Sequence, residues 1–239
     1  MTVRCKAGAL ALAMACALGQ GAQATTVFST DFESGVPSAL QPGVAGLTDV
    51  QGFAGLGQGS TVFAGQMLRV PTGQTLTLTL LDLPDHQALS LGFLLAAIDS
   101  LDGTGDYPAG DFLRITLDGQ EIFRESFANA LASQVQSYVP PPGGELARRV
   151  DLGFSGPGSY YTDSAYDMFL ESRLQNLAHT GASAVITLQM EGPGIQDLSD
   201  ESWGMDHLTV SVSPVPEPSS LWLLLAGALV VGGMRQRRG

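Results

Sequence analysis

The body of this chain contains no lysine and no cysteine. Between Thr25 and Ser213 lie six arginines against 22 carboxylates, a net charge of −16 within a 239-residue sequence. A field of that sign repels phosphate backbones, whose binding rests on neutralisation by Lys and Arg, so nucleic-acid recognition is excluded. Both cysteines, Cys5 and Cys16, precede Thr25. Once that segment is removed, the chain holds neither a disulfide nor a thiolate nucleophile. Histidine is scarce as well. His86, His179 and His207 fall in no metal-ligand or triad spacing and read as surface or packing residues, and without cysteine a structural zinc is hard to assemble. Ser155, in Gly153-Phe154-Ser155-Gly156, lacks the glycine placement of a nucleophile elbow. No glycine pattern joins a strand to a helix as nucleotide-binding loops require. Disorder is excluded by a 44 % hydrophobic composition.

The two ends read as processing signals. Arg4 and Lys6 form a positive start, Ala7 to Leu18 is apolar, and Ala22-Gln23-Ala24 gives the small-x-small pattern of a cleavage site. That order describes a secretory signal peptide over residues 1–24. A lipoprotein reading at Cys16 is weaker, because Ala13 stands where a leucine is expected. At the other end, Val215-Pro216-Glu217-Pro218 precedes an apolar run from Leu221 to Met234 and then Arg235, Arg237 and Arg238. A helix of that length reaches about 21 Å at 1.5 Å per residue, against a hydrocarbon core of about 30 Å. The three arginines hold the tail in the cytoplasm. The segment reads either as a plain membrane anchor or as a sorting signal removed after translocation.

These terminal residues resemble the PEP-CTERM sorting signal of Gram-negative bacteria that make exopolysaccharide. The resemblance implies recognition by an exosortase, an integral membrane cysteine protease that cuts near the Pro-Glu-Pro. It implies membrane association through the apolar segment before cleavage. It also implies export through the inner membrane to the cell envelope, the cell surface or the extracellular (biofilm) matrix.

Between the ends, strand signals dominate. Thr75 to Leu81 alternates, with Leu76, Leu78 and Leu80 on one face and threonines on the other. Asp111 to Leu117 and Glu121 to Phe127 flank Asp118-Gly119, a dipeptide that favours a tight hairpin turn. Further strands are expected at 26–32, 61–70, 88–98, 149–154, 182–190 and 204–212. Asp163 to Ala178 carries both a helical and a strand pattern and is read as strand. No repeat and no linker divides the body. The fold class expected is all-β: a single jelly-roll-like β-sandwich over 25–213, followed by a sorting segment at 214–239 with a short apolar helix. A second resemblance agrees. The blocks from Ile98 to Gly103 and from Ser199 to His207 are similar to those of secreted jelly-roll domains, a group without a settled activity.

Two acidic groups are candidates for a structural Ca2+. Asp99, Asp102 and Asp106 lie within eight residues, with Gly103 and Gly105 allowing a tight wrap around a hard cation. Asp31 and Glu33, on one side of the first strand, face Asp206 on the last if those strands are neighbours. The alternative is solvated acids in turns. Trp203 reads as a core anchor at the start of the last strand, because the residues after it alternate, with stacking on a sugar as the alternative. The acidic loop Asp197 to Glu201 beside it could bind hydroxyls or calcium, and Tyr161 is a candidate glycan contact. The expectation is a non-enzymatic exported protein contacting polysaccharide. The alternatives are a purely structural matrix component and, third, a hydrolase using a carboxylate pair.

Overall fold

A computed structural model describes residues 23–104, 110–154 and 162–215. The strands are β1 (Thr25–Thr30), β2 (Leu40–Gln41), β3 (Gly46–Asp49), β4 (Gly57–Gln58), β5 (Thr61–Val62), β6 (Gln66–Pro71), β7 (Thr75–Leu80) and β8 (His86–Asp99). They continue with β9 (Phe112–Leu117), β10 (Gln120–Ser126), β11 (Glu145–Val150), β12 (Asp163–Asp167), β13 (Leu177–Ala178), β14 (Ala184–Glu191) and β15 (Glu201–Pro214).

Two antiparallel sheets pack face to face. One has the order β11-β12-β8-β15-β6-β3, with β1 beside β15 and β13 beside β8; the other is β10-β9-β14-β7-β2. The cores of these sheets, β12-β8-β15-β6 against β10-β9-β14-β7, have the strand order of a jelly roll, so the expected all-β sandwich is the observed fold. Its interior follows from alternation. Leu76, Leu78 and Leu80 of β7 and Ile186, Leu188 and Met190 of β14 face Leu89, Leu91, Phe93 and Leu95 of β8 across one hydrophobic cluster.

β8 is buried on both faces, because a second cluster covers the outside of its sheet. Leu94, Ala96 and Ile98 alternate outward and pack under Phe53, Phe63 and Met67. This explains why 91–98 reads as an unbroken apolar run, the signature of a strand without a solvent face. The Asp118-Gly119 hairpin is observed, with both residues at positive φ (50° and 81°) as a type I′ turn requires. Segment 163–178 begins as a strand, β12, and then breaks into two 3-10 turns at Met168–Leu170 and Ser172–Leu174. Asp167 and Glu171 cap those turns by accepting from the backbone N–H groups of Phe169 and Arg173. The strand expected at 149–154 lies earlier, as β11.

Thr25 pairs with Val212, so the chain enters and leaves the sandwich at the same end. The opposite end of β15 starts at Glu201, roughly 40 Å away at about 3.3 Å per residue. The β8–β9, β10–β11, β11–β12 and β14–β15 connections gather there, next to Glu201 and its neighbour Asp99.

Candidate metal centre

At that loop-bearing end three acids converge. Asp102 and Asp111 stand at the two ends of the β8–β9 connection, and Glu201 opens β15. Each brings a carboxylate oxygen within 4.8 Å of the others, and all three residues are buried. No other trio of acids, histidines or cysteines among the described residues converges in this way.

Local chain geometry brings them together. The Asp102 N–H donates to Asp111 Oδ2 at 2.5 Å, closing the neck of the connection. Gln134 Nε2 donates to Asp102 Oδ1. The Gln196 N–H donates to Glu201 Oε2 at 3.0 Å. One oxygen of each acid is thus engaged. Asp111 Oδ1 and Glu201 Oε1 are buried with no hydrogen-bond partner. Burial pushes the Asp111 carboxyl up to about 6 and that of Glu201 up to about 8, with the neighbouring acids adding to the Glu201 shift. Burial also raises Asp102.

Arginines brace the surrounding loops. Arg149 donates to the carbonyls of Ala128, Ala132 and Gln134, at 3.3, 3.1 and 2.5 Å, and so holds the segment that carries Gln134. Arg69 reaches the Leu198 carbonyl at 3.0 Å, the Ser202 hydroxyl at 2.9 Å and Asp99 at 3.5 Å. Gly103, at φ 76°, lets the loop close: a Cβ there would collide with the Val135 carbonyl oxygen.

The acids expected from the sequence are distributed differently. Asp102 belongs to the centre, while Asp99 is not in the trio. The Asp99 N–H donates to Asp163, which also accepts from the Leu152 N–H and whose carboxyl is raised by burial to about 7. Asp106 lies outside the described residues. Asp31, Glu33 and Asp206 do not form a converging trio. Glu33 accepts from the Gln66 N–H and Asp206 from the Ala64 N–H, so both hold the turn before β6, while Asp31 accepts from the Glu33 N–H. Asp206 is raised to about 6, chiefly by burial. Trp203 is fully buried between the sheets, which closes it to a sugar face and corrects the stacking role. Tyr161 lies outside the described residues. His86 and His179 stack at 4.9 Å and share a 2.7 Å ring-nitrogen hydrogen bond, and His207 sits at a bulge of β15, contacting the Val62 carbonyl. Asp111 is not among the acids expected from the sequence, and Glu201 enters there only as the last residue of the acidic loop Asp197 to Glu201.

A flank recess of about 350 Å³ is lined by Glu125, Ser137, Val139, Glu171, Ser172 and Arg173, among others. Its acids are engaged. Arg173 donates to both oxygens of Glu171 and to Glu125, and the Ser137 hydroxyl donates to Glu125. The hydrogen bonds from Arg173 hold Glu171 below the usual carboxylate range.

β15 ends at Pro214, and Val215, the last described residue, is exposed. The remainder of the tail, including Pro216, Glu217, Pro218 and the arginines Arg235, Arg237 and Arg238, lies outside the described residues. Residues 214–238 match the family model for the PEP-CTERM protein-sorting motif. This chain carries a PEP-CTERM sorting signal. The motif implies export through the inner membrane to the cell envelope and processing by an exosortase. Among the described residues no helix is long and apolar enough to cross a membrane.

No curated protein matches the chain. Solved structures match it at low similarity. The Agl-KA catalytic domain has a TM-score of 0.34 and 16 % identity, covering 82 % of this chain and 29 % of that one. The GH115 4-O-methyl-α-glucuronidase BtGH115A has a TM-score of 0.35 and 10 % identity, over 87 % of this chain and 19 % of that one. A GH87 α-1,3-glucanase catalytic domain in complex with tetrasaccharides gives 0.32 and 16 %, over 83 % and 30 %. The PEP-CTERM chain therefore spans less than a third of each of these structures.

Proposed function

We propose that this protein is a non-catalytic component of the cell surface or extracellular matrix that contacts exopolysaccharide through the loop-bearing end of its sandwich. The observation that carries the reading is the placement of the ends. The PEP-CTERM segment leaves next to Thr25, and the loops at Glu201 lie at the far end of β15. A chain held at the envelope through its tail turns those loops away from the membrane, toward the polymer.

Two features favour a non-catalytic role over hydrolysis. Glycoside hydrolysis needs an acid of raised pKa facing a cleft, with a second carboxylate across it. Here the carboxyls pushed up to about 6, 7, 8 and 6, those of Asp111, Asp163, Glu201 and Asp206, belong to buried residues. In the flank recess Glu171 is shifted the opposite way and is tied to Arg173. Between Thr25 and Ser213 the net charge of −16 and the absence of lysine suit a matrix of neutral sugars better than one of acidic sugars, which that field would repel.

The test is co-sedimentation of the exported protein with exopolysaccharide from its own producing cells, with calcium and with EDTA. Retention without release of reducing ends is expected. Release of reducing ends would overturn the non-catalytic reading, and no retention in either buffer would leave a structural role without sugar contact.

A further inference from the structure

We infer that Asp102, Asp111 and Glu201 form a binding site for one Ca2+ that clamps the neck of the β8–β9 connection to the start of β15. Such a site does not depend on sugar contact.

Four observations converge on it. Each of the three acids presents an oxygen within 4.8 Å of the other two. Calcium binds oxygen ligands at about 2.3–2.6 Å, so two ligands on opposite sides of one ion stand about 4.6–5.2 Å apart. Three oxygens within 4.8 Å of one another are therefore close enough to share a single ion. Next, Asp111 Oδ1 and Glu201 Oε1 are buried without a partner, although both residues are fully buried. Carboxylate oxygens left in that state are costly unless a cation or proton meets them. The remaining oxygens are already held by Asp102 N–H, Gln134 Nε2 and Gln196 N–H, so each ligand is oriented by a neighbour. Finally, every donor is a hard oxygen, with no imidazole or thiolate, which disfavours zinc and copper. Magnesium gives up water reluctantly and is held by one or two carboxylates rather than an all-protein cage, so a buried trio suits calcium better.

The consequence is mechanical. Asp102 and Asp111 bracket the β8–β9 connection and Glu201 follows the β14–β15 connection, so one ion ties two long loops to the sheet edge. With no disulfide in the exported chain, that tie stands where secreted domains place a covalent one.

The test strips the exported protein with EDTA, removes the chelator and follows thermal unfolding as CaCl2 is added. Millimolar Ca2+ is expected to raise Tm by several degrees and equal MgCl2 by much less. Asp111→Asn and Glu201→Gln are expected to lose the increment, and Glu33→Gln to keep it. Hydrogen exchange on the unmutated protein provides a readout that needs no variant to fold. Calcium is expected to protect peptides covering 100–112 and 196–203 and to leave those covering 31–36 unchanged. The absence of a Tm shift, an equal shift in Asp111→Asn and Glu201→Gln, or protection confined to other segments would each overturn the site.

Discussion

Thr25 lies directly across from Val212, the first strand residue beside one of the last. A sandwich closed in this way has one end occupied by its termini and the other free for loops. The PEP-CTERM motif begins at residue 214, at the first end, where β15 runs out beside Thr25. The buried acid trio and the braced loops occupy the other. The arrangement separates a sorting end from a loop-bearing end.

Removing the Glu201 charge should stabilise the protein when metal is absent. Glu201→Gln keeps an oxygen for the Gln196 N–H and adds an amide donor beside Asp111, while deleting a buried carboxylate. In chelator at pH 8, Tm should rise above that of the unmutated protein, the opposite of the usual effect of a core substitution. A drop of several degrees would show that the Glu201 carboxylate is satisfied without metal.

The acids also fix the sign of the pH dependence. Asp111, Asp163, Glu201 and Asp206 have folded-state values of about 6, 7, 8 and 6, all raised chiefly by burial. Between the ordinary carboxylate range and those values the folded state holds protons that the unfolded chain has released. Stability is then fully present near pH 4 and falls as pH rises through 6 to 8. Denaturant midpoints in EDTA at pH 5 and pH 8 check it, with the lower midpoint expected at pH 8. A midpoint rising with pH would contradict the buried-acid account.

Glycine at 103 should be needed more than glycine at 119. Both sit at positive φ, but an added Cβ meets open space at Gly119 and the Val135 carbonyl at Gly103. Gly119→Ala should cost about 1–2 kcal/mol from backbone conformation alone. Gly103→Ala should cost a further ~1–3 kcal/mol from overpacking. Paired urea titrations measure the difference, and equal costs would mean that the loop gives way.

Arg149 should resist replacement by lysine. Its guanidinium spans three carbonyls of the loop that carries Gln134, a fork that a single ammonium cannot reproduce. Arg149→Lys should lower stability by about 1–3 kcal/mol and weaken any calcium response, because Gln134 orients Asp102. Unchanged stability and calcium response would show that the loop holds its place without the brace.

The sheets were legible wherever one face is apolar, as in Thr75 to Leu80, or where a turn dipeptide punctuates, as at Asp118-Gly119. β11 was misplaced because Arg148 and Arg149 interrupt its alternation; they are there to hold loop carbonyls. The 3-10 turns after β12 depend on caps from Asp167 and Glu171, whose side chains read equally well as solvated acids. The acid trio is visible in the sequence only in separate pieces, Asp102 in one acidic loop and Glu201 in another, with Asp111 unmarked. Asp102 was marked by its neighbours in sequence, whereas Asp111 and Glu201 join it through the antiparallel pairing of β8 with β15 and the return of the chain into β9, which no local spacing records. Trp203 shows the converse: the alternation after it points to a core anchor rather than a sugar platform, and its position on a strand paired on both sides puts it in the core.

If the end opposite the PEP-CTERM tail meets the polysaccharide, bound polymer must shield that end and leave the tail end open. Both cysteines precede Thr25, so in the chain left by the expected signal-peptide cleavage one introduced thiol reports on one position. Ser199→Cys places it in the exposed β14–β15 loop beside the acid trio, and Ser183→Cys on the exposed approach to β14 at the tail end. The measurement is the rate of labelling by a membrane-impermeant maleimide, with and without exopolysaccharide from the producing cells. Slowing at position 199 with none at 183 is the predicted result; slowing at 183 alone, or at neither, would contradict it.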